Sequence, residues 1–351
     1  MTTVAAPSVG EILELQRTAF LADGIPDLAT RIDRVNRLQA MILDHTDDLV
    51  AALAEDFGTR AREVSVLADI VGVMGDLDYQ KKHLRSWLKT QSRGWLLHRT
   101  GLQQRIRHDP LGVVGVMGPW NFPVQLTMLP AGTALAAGNR VMVRPSEVTA
   151  VTTQLLAGVA AHYFPVEELA VLTDAQADGP TFAALAFDHL FFTGSPAVGA
   201  LVAQAAGRNL VPVTLELGGK NPAVVDRSAD LTRAARRIAA SRMVNGGQVC
   251  MCPDYVLVPD EALEEFVAEV LTQWRKDFPQ ILGNGDYTSA VNDRHFDHVV
   301  GLIDDAVALG ARHAQHVPPG EALPDRKSRK IPPTVLTGVP PDAQVNREEI
   351  F

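Results

Sequence analysis

The residue types that could do covalent chemistry sit in three short stretches. Cys250 ends Asn245-Gly246-Gly247-Gln248-Val249-Cys250. A thiol after a glycine-rich turn can be partly exposed, with backbone N–H groups close enough to stabilise a thiolate or an oxyanion. The plainer reading is a buried packing cysteine. Glu216 ends an apolar run, Val213-Thr214-Leu215-Glu216, and the spacing predicts a partly buried carboxylate, raised toward the range of a general base. The plainer reading pairs it with a Lys or Arg. Asn121, in Pro119-Trp120-Asn121-Phe122-Pro123, is a neutral amide donor in a stiff loop, suited to an oxyanion or simply to a turn.

Two further stretches could hold an anionic cofactor. There is no GxGxxG. Phe191-Phe192-Thr193 reads as a strand end, followed by Gly194, an N-cap Ser195 and Pro196 at the first helical position, with a helix running on to Gly207. A helix that opens directly off a strand offers backbone N–H groups to a phosphate. It is equally an ordinary strand–turn–helix unit. Val141-Met142-Val143 leads into Arg144-Pro145-Ser146-Glu147, where an acidic residue past a strand end can accept ribose hydroxyls and would repel a 2′-phosphate. The alternative is a helix-start carboxylate. No metal site is expected. Cys250 and Cys252 supply two thiols where structural zinc takes four ligands, there is no HExxH, and His313 and His316 read as solvated on one helical face. Cys252 reads as a packing residue, or as a resolving thiol for oxidised Cys250.

These residues need a scaffold, and the chain is long enough to build one. Its 351 residues suggest roughly two domains of about 150 residues each. Apolar residues make up 46% and charged residues 21%, as in a folded globular protein. With 32 Lys and Arg against 41 Asp and Glu the net charge is −9, which disfavours nucleic acid or an anionic membrane as the main partner. Two cysteines one residue apart make a mutual disulfide improbable, and the start MTTVAAPSVG lacks the features of a signal peptide, so a cytoplasmic location is expected. Pro110 to Asn139 carries no charge, but Pro119, Pro123 and Pro130 and scattered glycines inside it predict a strand, a loop and a packed helix rather than a membrane span.

Apolar positions from Ile32 to Phe57 recur at helical spacing with Gly58 as a stop, and a second pattern runs from Leu67 to Trp87. Short apolar runs then alternate with helical segments: Val113 to Met117, Val141 to Val143, Leu169 to Leu172, His189 to Phe192 and Val211 to Leu215. This predicts an α/β fold with a mostly parallel sheet. A second α/β series follows, with strands at Ala223 to Val225 and Tyr255 to Val258 and helices from about Asp230 to Val244 and Glu261 to Trp274. The predicted division is 1–218, holding the N-terminal helices and a Rossmann-like nucleotide-binding domain, and 219–351, holding the thiol. Residues 89–109 read as a connector or bridging arm, and Val317 to Lys330 as a Pro-rich charged loop.

Taken together, PWNFP (119–123), RPSE (144–147), FTGSPAVG (192–199), LELGGKNP (215–222), NGGQVC (245–250) and EEIF (348–351) resemble the aldehyde dehydrogenase superfamily, in the family's order. The 34-residue step from Glu216 to Cys250 is similar as well, and CMCPDYVLV and DYTSAVNDRHF look most like the coniferyl aldehyde dehydrogenase branch. The resemblance implies NAD-dependent oxidation of an aldehyde, an aromatic one of the coniferaldehyde type, to the acid, with NADP as the alternative cofactor. It implies Cys250 as nucleophile, Asn121 and the Cys250 N–H as oxyanion donors, and Glu216 as the base that activates water on the thioester. A thioester passed instead to coenzyme A is the nearest enzymatic alternative. Ser195, Gly194 and Gly199 would face the pyrophosphate, Glu147 the adenosine ribose, Glu349 the nicotinamide ribose and Phe351 the ring. Met117, Gly118, Pro119, Trp120, Arg144, Ser146, Pro196, Ala197, Val198 and Leu217 would line the rest of the cofactor site.

Two departures stand out. Arg144 takes the place of a Lys usual in the family, and the two are not equivalent as hydrogen-bond partners. The chain ends at Phe351, inside the family's EEIFGP motif. Read as a C-terminal truncation, this predicts exposed sheet edges and an incomplete substrate funnel. It also predicts a weakened form of the homodimer implied for full-length relatives, and it keeps open a fragment that at most binds NAD.

Overall fold

The computed structural model describes residues 7–94 and 99–351. The chain forms two compact units, one built from residues up to Val50 together with Val66–Glu216, the other from Ala51–Ser65 together with Leu217–Phe351. The predicted division places 51–65 in the first domain. Here they join the second unit, where Thr59 O accepts from Ser289 N at 3.0 Å and Phe57 O from Arg329 Nη2 at 2.8 Å.

The first unit opens with the helix Val9–Asp23, capped by Ser8 and Glu11 in a reciprocal box. The single helical pattern expected from 32 to 57 is two helices, Leu28–Asp44 and Thr46–Phe57, separated at His45. A π-helical stretch, Ser65–Val71, precedes the helix Gly72–Trp87. An exposed antiparallel ribbon follows, β1 (Gln91–Arg93) against β2 (Gln104–Ile106). It occupies part of the segment expected to be an arm, whose Trp95, Leu96 and Leu97 lie outside the described residues.

The main sheet has five strands: β3 (Val113–Met117), β4 (Arg140–Arg144), β5 (Leu169–Val171), β6 (His189–Gly194) and β7 (Val213–Leu217), in the order β5-β4-β3-β6-β7. The pairs β5–β4, β4–β3 and β3–β6 are parallel. Every residue of β3, β4 and β5 is buried, as expected of parallel strands covered on both faces. Buried Gln16 of the first helix donates to Val141 O of β4 at 3.0 Å and to Val166 O at 2.8 Å, fastening that helix over the sheet. Met117, Met142, Phe182, Phe187, Leu190, Phe192 and Val202 form the apolar core on this side.

In the second unit β8 (Asn221–Val224) pairs in parallel with β9 (Pro253–Leu257). The helices Leu231–Met243 and Leu263–Asp277 bury Ala235, Ala239, Phe266, Val270 and Trp274, and the Trp274 indole donates to Ala239 O at 3.2 Å. β10 (Arg312–Gln315) and β11 (Thr334–Thr337) form an antiparallel pair. The loop before β11 carries Lys330, fully buried and coordinated by the carbonyls of Ile281, Leu282 and Asn284 at 2.7–3.1 Å. His313 lies on β10, not a helix, and His316 is buried against Phe278 O at 2.7 Å rather than solvated. Among the described residues no helix is long and apolar enough to cross a membrane.

Gly115, mid-strand in β3, is set by space. A Cβ there would lie 2.6 Å from the Phe187 ring and 2.9 Å from Leu190. Gly115→Ala should overpack this core and destabilise by about 1–3 kcal/mol, seen as a lower midpoint in urea or thermal unfolding.

Candidate active site

In the first unit the sheet register assembles the cofactor candidates. Met117 is level with Arg144 on one side and with Phe192 on the other. The loops that leave β3, β4 and β6 therefore emerge at one carboxyl edge. Strand order reverses between β3 and β6, and the crevice at such a reversal is where open α/β sheets bind ligands. Met117 to Asn121, Arg144 to Glu147 and Gly194 to Gly199 share this edge.

Each loop is held by local chemistry. Gly118 N donates to Arg144 O at 3.0 Å, joining two of the loops. A Cβ on Gly118 would lie 1.8 Å from Thr127 Oγ1, so no side chain fits. Asn121 is buried. The helix that follows it, Gln125–Ala136, is anchored by Asp69. This fully buried carboxylate accepts from Val124 N at 3.0 Å and Gln125 N at 3.1 Å. Asp69 escaped the sequence reading, and its one signal was an acid inside the apolar stretch Val66 to Val73. Ser146 caps the 3₁₀ turn Glu147–Thr149 through Val148 N, leaving Glu147 exposed.

Ser195 caps the helix Pro196–Gly207 with Pro196 at its start, and Ser195 to Val198 are exposed. Their open helix N-terminus has the geometry of an anion site. A Cβ on Gly194 would meet the Phe192 ring at 2.6 Å, which keeps the turn narrow. This edge therefore fits a dinucleotide phosphate. Glu216 near the end of β7 is exposed, not partly buried as expected.

The second unit holds the thiols. Asn245 and Gly246 adopt left-handed backbone, φ 52° and 66°. A Cβ on Gly246 would lie 2.8 Å from Thr288 O, so glycine is required there for both reasons. Gln248 clamps the turn: Nε2 donates to Asn245 O at 2.8 Å and Ser289 O at 3.1 Å, and Oε1 accepts from Val291 N at 2.9 Å. Asn221 Nδ2 donates to Cys250 O at 2.6 Å and Cys252 O at 3.2 Å. The backbone at Cys250 is thus gripped from β8, and the residue is half-buried. Cys252 is buried with Sγ 3.5 Å from Ser241 O, and burial raises its pKa.

The chain's last residues fold onto the same unit. Lys220 Nζ binds Asp254, Val345 O and Glu348 O, and Ile350 N donates to Asp254 Oδ2 at 3.0 Å. Glu349 is half-buried beside Gly218, where a Cβ would lie 1.9 Å from its carboxylate. Desolvation raises its pKa, opposed by a hydrogen bond from the Gly219 backbone. Leu217, Glu349 and Phe351 belong to this second unit, as does Cys250, whereas Asn121 and Glu216 belong to the first.

The aldehyde dehydrogenase family profile matches residues 9–351, and the chain belongs to that family. It is an enzyme of the aldehyde dehydrogenase class. It is 43% identical over 346 residues to a probable coniferyl aldehyde dehydrogenase of Caulobacter vibrioides, covering 98% of this chain and 71% of that protein. It is 42% identical to the coniferyl aldehyde dehydrogenase of a Pseudomonas species, covering 99% and 72%. A Mycobacterium tuberculosis aldehyde dehydrogenase solved in complex with NAD+ superposes with a TM-score of 0.85 at 26% identity, over 99% of this chain and 72% of that one.

The contrast between the two thiols is open to direct measurement. At pH 8 the folded chain should release one equivalent of chromophore per chain from a disulfide reagent, lost in Cys250→Ala. Cys252 should react only after unfolding, because its thiolate is disfavoured and inaccessible.

Proposed function

We propose that this chain oxidises an aromatic aldehyde of the coniferaldehyde type to its carboxylic acid with NAD, through a covalent intermediate on Cys250. The observation that carries this reading is the partly exposed Cys250 on a turn clamped by Gln248 and Asn221. The identity to coniferyl aldehyde dehydrogenases supports the substrate, and the superposition on an NAD+ complex supports the cofactor.

The roles follow from the chemistry of each group. The Cys250 thiolate adds to the aldehyde carbonyl, forming a thiohemiacetal oxyanion. The Asn121 amide and the Cys250 backbone N–H are the donors suited to that charge. A bound nicotinamide supplies the hydride acceptor, and Cys250 is left as a thioester, which hydrolyses readily. Glu216, exposed near the end of β7, takes a proton from the attacking water. The acid leaves and the thiol is restored. The carboxyl edge of β3, β4 and β6 is the proposed dinucleotide site: Ser195 to Val198 toward the pyrophosphate and Glu147 toward the adenosine ribose. Met117 to Trp120, Arg144, Ser146, Pro196, Gly194 and Gly199 line that edge, and the family resemblance adds Leu217, Glu349 and Phe351 as further candidate cofactor contacts.

NADH formation from coniferaldehyde and NAD+ tests the proposal. Cys250→Ala should abolish it, and Asn121→Ala should lower kcat by about 10²–10³-fold, the usual effect of removing one oxyanion donor. In a separate experiment, Glu216→Gln should give a stoichiometric burst of NADH and then stall at the thioester. Turnover surviving in Cys250→Ala would overturn the assignment of the nucleophile. Steady turnover at the wild-type rate in Glu216→Gln would remove that residue from the mechanism.

A further inference from the structure

The end of β4 presents two contradictory signals for cofactor choice. An acid past the strand end suits a ribose 2′-hydroxyl, whereas an arginine nearby suits a 2′-phosphate. This chain has both, Glu147 and Arg144, and the structure shows which one is available.

Arg144 is not poised toward an incoming anion. Its side chain is only 7% exposed. Nε donates to Ala177 O at 3.1 Å, and Nη2 is shared between Asp174 Oδ1 at 2.5 Å and Glu147 Oε2 at 3.0 Å. The backbone of Gly179 closes over the guanidinium, and a Cβ there would lie 3.8 Å from both Cζ and Nη1. Bidentate recognition of a phosphate uses two parallel N–H groups, and the Nε–Nη2 edge is already engaged inside the protein. The charge balance points the same way. Asp174, Glu147 and Asp178 all interact with this one cation, leaving an excess of two negative charges. Asp174 and Glu147 are about half exposed, so that excess faces solvent.

We propose that Asp174 and Arg144 form a clamp that sets dinucleotide choice. Arg144 is a positioning residue that orients Glu147 for the ribose diol. Asp174 holds Arg144 inward and adds a carboxylate, so the site takes NAD and rejects the 2′-phosphate of NADP. This rests on the proposal that the carboxyl edge of β3, β4 and β6 is the dinucleotide site. It adds Asp174, which lies past the end of β5 and carries no nucleotide-binding signature of its own.

The test is equilibrium binding of NAD+ and NADP+ by calorimetry, which needs no turnover. The wild-type chain should bind NADP+ at least about 50-fold more weakly than NAD+. Asp174→Asn keeps an acceptor for Arg144 but removes the charge. It should tighten NADP+ about tenfold, or ~1.4 kcal/mol, while NAD+ changes by less than about threefold. Asp174→Ser is the second variant should the first unfold, with the same shift expected, and thermal melts confirm folding of each. Glu147→Gln should weaken NAD+ instead, separating diol recognition from the clamp. Equal affinity for the two cofactors in the wild type would overturn the proposal. So would an unchanged ratio in folded Asp174 variants, with the dinucleotide site left standing. A folded wild-type chain that binds neither cofactor would overturn both the clamp and the dinucleotide site.

Discussion

The proposed cofactor edge of the first unit depends on the register of three parallel strands. Parallel pairing lines up the carboxyl ends of β3, β4 and β6, with Met117 opposite Arg144 and Phe192. Because side chains alternate along a strand, a slip of one residue would send each strand's buried face to the opposite side of the sheet. It would also separate loops that are distant in sequence and need to meet. Close packing on both faces resists such slips, as at Gly115, where a Cβ would lie 2.6 Å from the Phe187 ring.

Once the edge is level, small and polar groups do the positioning. Gly118 gives way to Thr127, Ser146 and Ser195 cap the turns that follow their strands, and Asp69 caps the helix after Asn121. In the second unit the equivalent work is done by amides. Gln248 satisfies three backbone groups around the left-handed turn before Cys250, and Asn221 satisfies two beyond it. Unpaired buried backbone groups are expensive, so these amides hold the thiol's turn in one conformation. Neighbouring Cys252 has the same side chain and an opposite environment. Burial disfavours its thiolate, whereas Cys250 reaches solvent.

The α/β alternation and the strands β3, β4 and β6 were legible because buried parallel strands are continuous apolar runs. The thiol turn was legible because Asn-Gly-Gly can mark left-handed backbone. The break at His45 was not, since the apolar face of Ile32 to Phe57 continues across it. Nor was the grouping of 51–65 with the second unit, which rests on hydrogen bonds from the Ser289 backbone and the Arg329 side chain, more than two hundred positions away. His316 read as solvated on a helical face and Lys330 as part of a charged loop, yet both are buried, because they meet carbonyls contributed by Phe278 and by Ile281 to Asn284.

By itself, the sequence determined the chemical repertoire and the family: a cysteine, a glutamate and an asparagine in six ordered motifs, each a local pattern of residue types. Tertiary structure decided what those groups experience. It exposed Glu216 where an apolar run implied burial, and it revealed Asp69 beneath the Asn121 loop. It also turned Arg144, which could have read a phosphate, into an inward-facing partner of Asp174 and Glu147. Burial, charge pairing and backbone satisfaction arise between residues far apart in the chain. Local residue patterns name the groups, and only folding brings their partners to them.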